Sequence, residues 1–165
     1  IIMTHGDDRG LNLPPAVAPI QAVILPIAQH KEGVLDAARA LEEKLRGVCR
    51  VKLDDSDNSP GWKFAEYEMK GVPVRVEIGP RDIEEGNCII ASRWNGEKVT
   101  VSIDELEAAV AQKLDEAREG MFNKALENRE KKTYSCENMD EIIAALEKNG
   151  DGFVKALWCG EAKES

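Results

Sequence analysis

Six apolar residues run without a break from Ala22 to Ile27, with Pro26 near the end, a length and pattern that suit a strand buried on both faces. The period then changes. Val34, Ala38, Leu41 and Leu45 recur at steps of three and four, which predicts an amphipathic helix over about residues 32–46, stopped by Gly47. Arg50-Val51-Lys52-Leu53 alternates as a strand with one buried face does, and residues 54–58 are turn-rich. Ser59 is placed to cap a second helix over about residues 60–70, with Pro60 at its first position, where a missing N–H costs nothing. On this helix Trp62, Ala65 and Met69 share a face and are expected in the core, while Phe64 lies to one side.

Gly71 and Pro73 end that helix, and Val74-Arg75-Val76-Glu77-Ile78 alternates strictly: three aliphatic side chains on one face, Arg75 and Glu77 on the other. Residues 88–93 and 98–101 flank Asn95-Gly96, a hairpin signal. A third helix, over about residues 103–120, is expected to start at Ser102 with Glu105 completing a capping box. It carries a Leu106, Val110, Leu114, Ala117, Met121 stripe, and Gly120 is expected to interrupt it. The order predicts an α/β fold, a mixed β-sheet covered by helices, over residues 21–129. Past Glu130 the pattern restarts with a strand at Thr133–Cys136, a helix capped by Asn138 with Glu141 reaching back, and a strand at Phe153–Leu157, the start of a small second α/β domain over residues 130–165. Residues 1–20, with three prolines and no period, read as a flexible connector.

Composition narrows the function classes. No apolar run approaches a membrane span and no signal-peptide layout opens the chain, so no membrane partner and a cytoplasmic location are expected. Cys49, Cys88, Cys136 and Cys159 are far apart, which excludes a disulfide scaffold and predicts reduced thiols. The net charge of −9 argues against broad phosphate binding, yet a compact site that reads unstacked bases needs only a few well-placed groups. His5, Asp7 and Asp8 lack a nucleophile in any recognisable motif, so no catalytic residue is expected. The acidic residues Glu105, Glu107, Asp115, Glu116 and Glu119 read as a solvated helix face.

Two stretches carry a resemblance: Met3-Thr4-His5-Gly6-Asp7-Asp8-Arg9-Gly10-Leu11-Asn12-Leu13-Pro14-Pro15, and Ser59 to Phe64 with Gly71 to Asp82. They resemble the C-terminal region of class II prolyl-tRNA synthetases of archaeal and eukaryotic type, the first as the end of the catalytic domain and the second within the anticodon-binding domain. The resemblance implies that the contribution here is recognition of tRNA(Pro) for an enzyme that joins proline to tRNA using ATP and Mg, that this enzyme is a homodimer, and that the ATP-contacting arginine lies before Ile1. No cofactor is then expected for this stretch. Related anticodon domains of other class II synthetases, and an interaction module without RNA affinity, are the competing readings.

Proline anticodons carry guanine at their second and third positions. Guanine offers N1–H and N2–H donors, which suit carboxylates, and O6 and N7 acceptors, which suit Arg or Lys. By resemblance Glu68, Arg75, Arg81 and Asp82 align with positions used for anticodon bases, and Lys98 aligns unless Glu97 takes its place. Phe64 is the aromatic expected to stack on a base. Trp158-Cys159-Gly160-Glu161 resembles the start of the family's zinc segment, but Glu164 stands where a second cysteine is usual, so no metal is expected.

Overall fold

The computed structural model describes residues 2–157, and the chain forms two compact units, Ile1–Met121 and Phe122–Ser165. In the first, a one-turn helix α1 (Ile2–His5) leads into a hairpin of two-residue strands, β1 (Gly6–Asp7) and β2 (Gly10–Leu11). There follow β3 (Ala22–Pro26), α2 (Val34–Leu45), β4 (Val51–Leu53), α3 (Pro60–Met69), β5 (Val74–Ile78), α4 (Pro80–Glu85), β6 (Asn87–Ser92) and β7 (Lys98–Ser102). A 3-10 turn, Ile103–Glu105, opens α5 (Leu106–Lys131).

The sheet order is β4-β3-β5-β6-β7, parallel across the first three strands and antiparallel across the last two, as the α/β pattern predicts. Period-2 alternation sorts its two faces. Ala22, Ile24, Val74, Val76, Ile78, Cys88 and Ile90 pack on one side against Ala38, Leu41 and Leu45 of α2 and Leu106, Val110 and Leu114 of α5. Each fully buried Val, Leu or Ile side chain here contributes about 1.5–3 kcal/mol, so this layer is the main source of stability. On the opposite face Val23 and Leu25 pack with Tyr67, Val72, Ile20 and Phe64, a smaller core under α3.

Four local expectations are corrected. Trp62, Ala65 and Met69 are exposed, and α3 instead buries Lys63 and Tyr67. The reason is a polar anchor: the Lys63 ammonium donates to the Asp54 carbonyl (2.8 Å) and Gln29 Oε1 (3.3 Å) and lies 3.5 Å from the Asp54 carboxylate, which rolls the helix one position from its apolar stripe. Gly120 does not interrupt α5, which continues to Lys131; a Cβ there would sit 2.4 Å from the Trp94 ring, so the glycine makes room for the indole. Ser102 caps the 3-10 turn through the Asp104 N–H (3.3 Å) rather than forming a box with Glu105. The connector, expected to be flexible, folds back on α3. Gly10 (φ +121°) lies where a Cβ would be 2.4 Å from the Met69 Cα, and Gly71 (φ +71°) lies where one would be 2.8 Å from the Leu11 carbonyl carbon.

In the second unit β8 (Thr133–Ser135) pairs in parallel with β9 (Phe153–Lys155), and α6 (Met139–Asn149) joins them. The Asn138 side-chain oxygen accepts the Glu141 N–H (3.0 Å), and Glu141 reaches back, as expected, to the Glu137 N–H (2.9 Å) and the Asn138 side-chain Nδ2 (2.8 Å). The readings on Cys159, Glu161 and Glu164 lie outside the described residues.

Candidate nucleic-acid interface

Strand register sets the site. Lys52, Val23, Arg75, Ala91 and Lys98 are successive cross-strand partners, so they form one row on the α3 side of the sheet; Leu25, Glu77, Ile89 and Thr100 form the next. Helix α3 packs on β3, which leaves Lys98 and Thr100 of β7 exposed. This half-open face holds a pocket of about 140 Å³ whose polar lining includes Arg9, Glu68, Arg75, Arg93 and Lys98, with Tyr67 at its side. That is below the roughly 300–1,000 Å³ of small-molecule sites, and suits the edge of one base better than a whole cofactor.

Glu77, which alternation put on the face of Arg75 but to which no role was given, organises the basic groups. Its Oε1 accepts from Arg75 Nε and Nη2, both at 2.9 Å, and from Lys98 Nζ at 3.3 Å. At 7% exposed it is a buried carboxylate with two cations on one oxygen. The Arg75 guanidinium lies 4.2 Å from the Phe64 ring centroid and Lys98 Nζ 5.8 Å from it. Phe64 is half-buried in the smaller core, its face taken by Arg75, so Arg75 is the group presented to the pocket. Lys98, rather than Glu97, is the hairpin residue here: Glu97 turns away to Lys113 (2.9 Å).

The connector supplies what sequence reasoning missed. Arg9 Nη1 meets Glu68 Oε1 at 2.9 Å. Arg93, its side chain only 4% exposed, forks onto Asp7 at 3.0 and 2.6 Å and donates through Nε to the Glu68 carbonyl at 3.2 Å. The Arg93 fork holds the Asp7 carboxyl down at about 2, against the opposing pull of partial burial and with help from the Arg9 N–H. A depressed carboxylate stabilises the fold above its unfolded value of about 3.9 and loses that contribution as pH falls toward 2. A carboxyl-carbon NMR titration is therefore expected to place Asp7 near 2 in the wild type and near 4 in Arg93→Ala; a wild-type midpoint near 4 would deny the fork.

Glu68, Arg75, Lys98 and Phe64 are thus brought together. Arg81 and Asp82 are not part of this pocket; they open α4 at the carboxyl end of β5, about 13 Å further along by strand rise. Asp82 Oδ2 accepts the Gly79 N–H at 2.7 Å, closing a cap around Pro80, while Arg81 is exposed and has no ion pair among the described residues. Around the pocket Arg9, Arg75, Arg93 and Lys98 outnumber Asp7, Glu68 and Glu77, a local positive excess on a chain of net charge −9.

A family model described as an anticodon binding domain matches residues 21–113, more than half of the chain. The chain belongs to that family. Among curated proteins it is similar to the proline–tRNA ligases of Clostridium botulinum (55% identical), Ruminiclostridium cellulolyticum (53%) and Clostridium novyi (52%), each over 161 residues, 98% of this chain and 34% of the relative. The chain thus spans about a third of the length of these relatives. Its anticodon-binding domain is the five-stranded sheet with its helices, and the family match ends within α5. No helix among the described residues is long and apolar enough to cross a membrane.

Proposed function

We propose that the first unit reads the anticodon of tRNA(Pro) as part of a proline–tRNA ligase of archaeal and eukaryotic type, a cytoplasmic homodimer that attaches proline to tRNA using ATP and Mg. The observation that carries it is the convergence of Glu68 with Arg9, Arg75 and Lys98 on a half-open sheet face of an anticodon-binding fold. The type rests on the wording of His5 to Pro15 and Ser59 to Asp82, and the relatives' names support the amino acid. The described residues contain no group of three or more His, Cys, Asp or Glu suited to a metal ion.

In this reading Glu68 accepts from guanine N1–H and N2–H while Arg75 and Lys98 donate toward O6 and N7. Phe64 contributes by backing the Arg75 guanidinium, itself a surface on which bases stack. Arg81 and Asp82 form a separate position for the second guanine, with Asp82 Oδ1 remaining for the base. The test is binding of an anticodon stem-loop RNA with the proline anticodon, and of its guanine-to-adenine versions, at one fixed salt concentration. Wild type is expected to favour guanine by about 1–3 kcal/mol per bidentate contact, roughly 5- to 150-fold. Glu68→Gln and Asp82→Ala should each flatten the preference at one of the two positions, and Arg75→Ala and Arg81→Ala should do so at the same two. Equal wild-type binding to all the RNAs would sink the reading, and unchanged discrimination in Arg81→Ala and Asp82→Ala would make the α4 start scaffold.

A further inference from the structure

We propose that Arg9 is a specificity-determining positioning residue of this pocket, brought in on the β1–β2 hairpin to hold the Glu68 carboxylate in the orientation that meets a base. The inference rests on the anticodon reading of the pocket. Glu68 is the penultimate residue of α3, and its side chain, 29% exposed, has several rotatable bonds to fix. An isolated pair between it and Arg9, which is 55% exposed, would hold it weakly, because exposed ion pairs lose in side-chain entropy much of what they gain in attraction.

What changes that balance is the anchoring on both sides of Arg9. On the chain before it, Asp7 is forked to the buried Arg93. On the chain after it, Gly10 lies against the Met69 backbone, and the Leu13 N–H donates to the Gly71 carbonyl at 3.4 Å. Within the hairpin the Arg9 N–H is itself held by Asp7 Oδ1 at 2.9 Å. Arg93 closes the loop of constraints, since the guanidinium that fixes Asp7 also donates to the Glu68 carbonyl. The backbone of Glu68 and the hairpin bearing Arg9 therefore share one buried anchor. Preorganisation of this kind lets a side-chain contact act with little entropy lost on binding. With one lone pair of Oε1 engaged by Arg9, Glu68 keeps Oε2 and the other Oε1 lone pair for guanine N1–H and N2–H, and a rotated carboxylate would lose that alignment.

The experiment uses the full 165-residue chain and the same stem-loop RNAs, guanine against adenine, with Arg9→Ala, Arg9→Lys, Glu68→Gln and the Arg9→Ala/Glu68→Gln double variant. Arg9→Ala is expected to lower the guanine preference about tenfold, the size of one coupled contact, without moving the thermal midpoint. Arg9→Lys should restore part of it, and adding Arg9→Ala to Glu68→Gln should change the ratio by less than about twofold. A wild type without discrimination would remove the anticodon reading itself. A discriminating wild type whose preference survives Arg9→Ala would overturn the role of Arg9 alone. Additive losses would also overturn it, because Arg9 would then be touching the RNA independently of Glu68.

Discussion

Asp54→Ala is expected to destabilise the first unit by about 3–5 kcal/mol, the usual result of leaving a buried charge without its partner. Lys63 is 2% exposed and the Asp54 side chain 8%, so neither recovers hydration in the folded state. The ammonium would keep the Asp54 carbonyl and Gln29 Oε1, two neutral acceptors, which puts the loss at the lower end of that range. Lys63→Met removes the charge and keeps the volume, and the double variant should recover most of the stability. Urea unfolding measures all three; a loss below about 1 kcal/mol in Asp54→Ala would show that the pair is not the anchor. Burial pushes the Asp54 carboxyl up, but Ser56, the Tyr67 hydroxyl and Lys63 pull it down further, and the net direction is below the ordinary value. The sign follows. The pair stabilises the fold above the unfolded carboxyl value of about 3.9, and that contribution is lost as pH falls through the lower folded value. Burial, and next the hydrogen bond to the Asp54 carboxylate, push the Tyr67 hydroxyl up to about 12.

This anchor also marks the limit of what hydrophobic periodicity reveals. Helices α2 and α5 were legible because their Val34–Leu45 and Leu106–Ala117 stripes are apolar at 3.6 spacing and buried, with Ala38–Leu45 and Leu106–Leu114 in the main core. In α3 the buried position is a lysine, and a pattern that counts Lys63 as polar turns the helix to present Trp62, which is 50% exposed. Helix α4 was not among the expected elements although Gly79-Pro80-Arg81-Asp82 carries a proline at the first turn and an acid three residues on; six residues are too few to show a stripe. Strict alternation in Val74–Ile78 located Arg75 correctly and contained Glu77 on the same face, but nothing local says that Lys98 will share its oxygen. The Asp7–Arg93 fork spans 86 positions, and no spacing rule joins its ends. The residues brought together by one strand and its neighbours were readable; those brought by the folded-back hairpin were not.

Gly10→Ala is expected to cost about 3 kcal/mol or more and to detach the hairpin from α3. A side chain at φ +121° meets the left-handed penalty of about 1–2 kcal/mol, and its Cβ would stand 2.4 Å from the Met69 Cα and 2.7 Å from the Met69 carbonyl oxygen. Backbone atoms in the middle of packed elements do not yield as a flexible side chain does, so the hairpin must lift. Lifting it takes Asp7 from Arg93, which is 6% exposed and would be left with the Glu68 carbonyl alone. Gly71→Ala meets Leu11 from the other side at 2.7–2.9 Å and should behave alike. Gly33→Ala separates the two causes, for Gly33 has φ +80° with nothing within 4 Å of the added carbon, and it should lose only the conformational term. Urea midpoints rank the three variants, and amide hydrogen exchange at Leu13, whose N–H bonds to the Gly71 carbonyl, reports the hairpin directly. If Gly10→Ala loses no more than Gly33→Ala, the connector is not interlocked with α3, and Arg9 has no fixed base from which to hold Glu68.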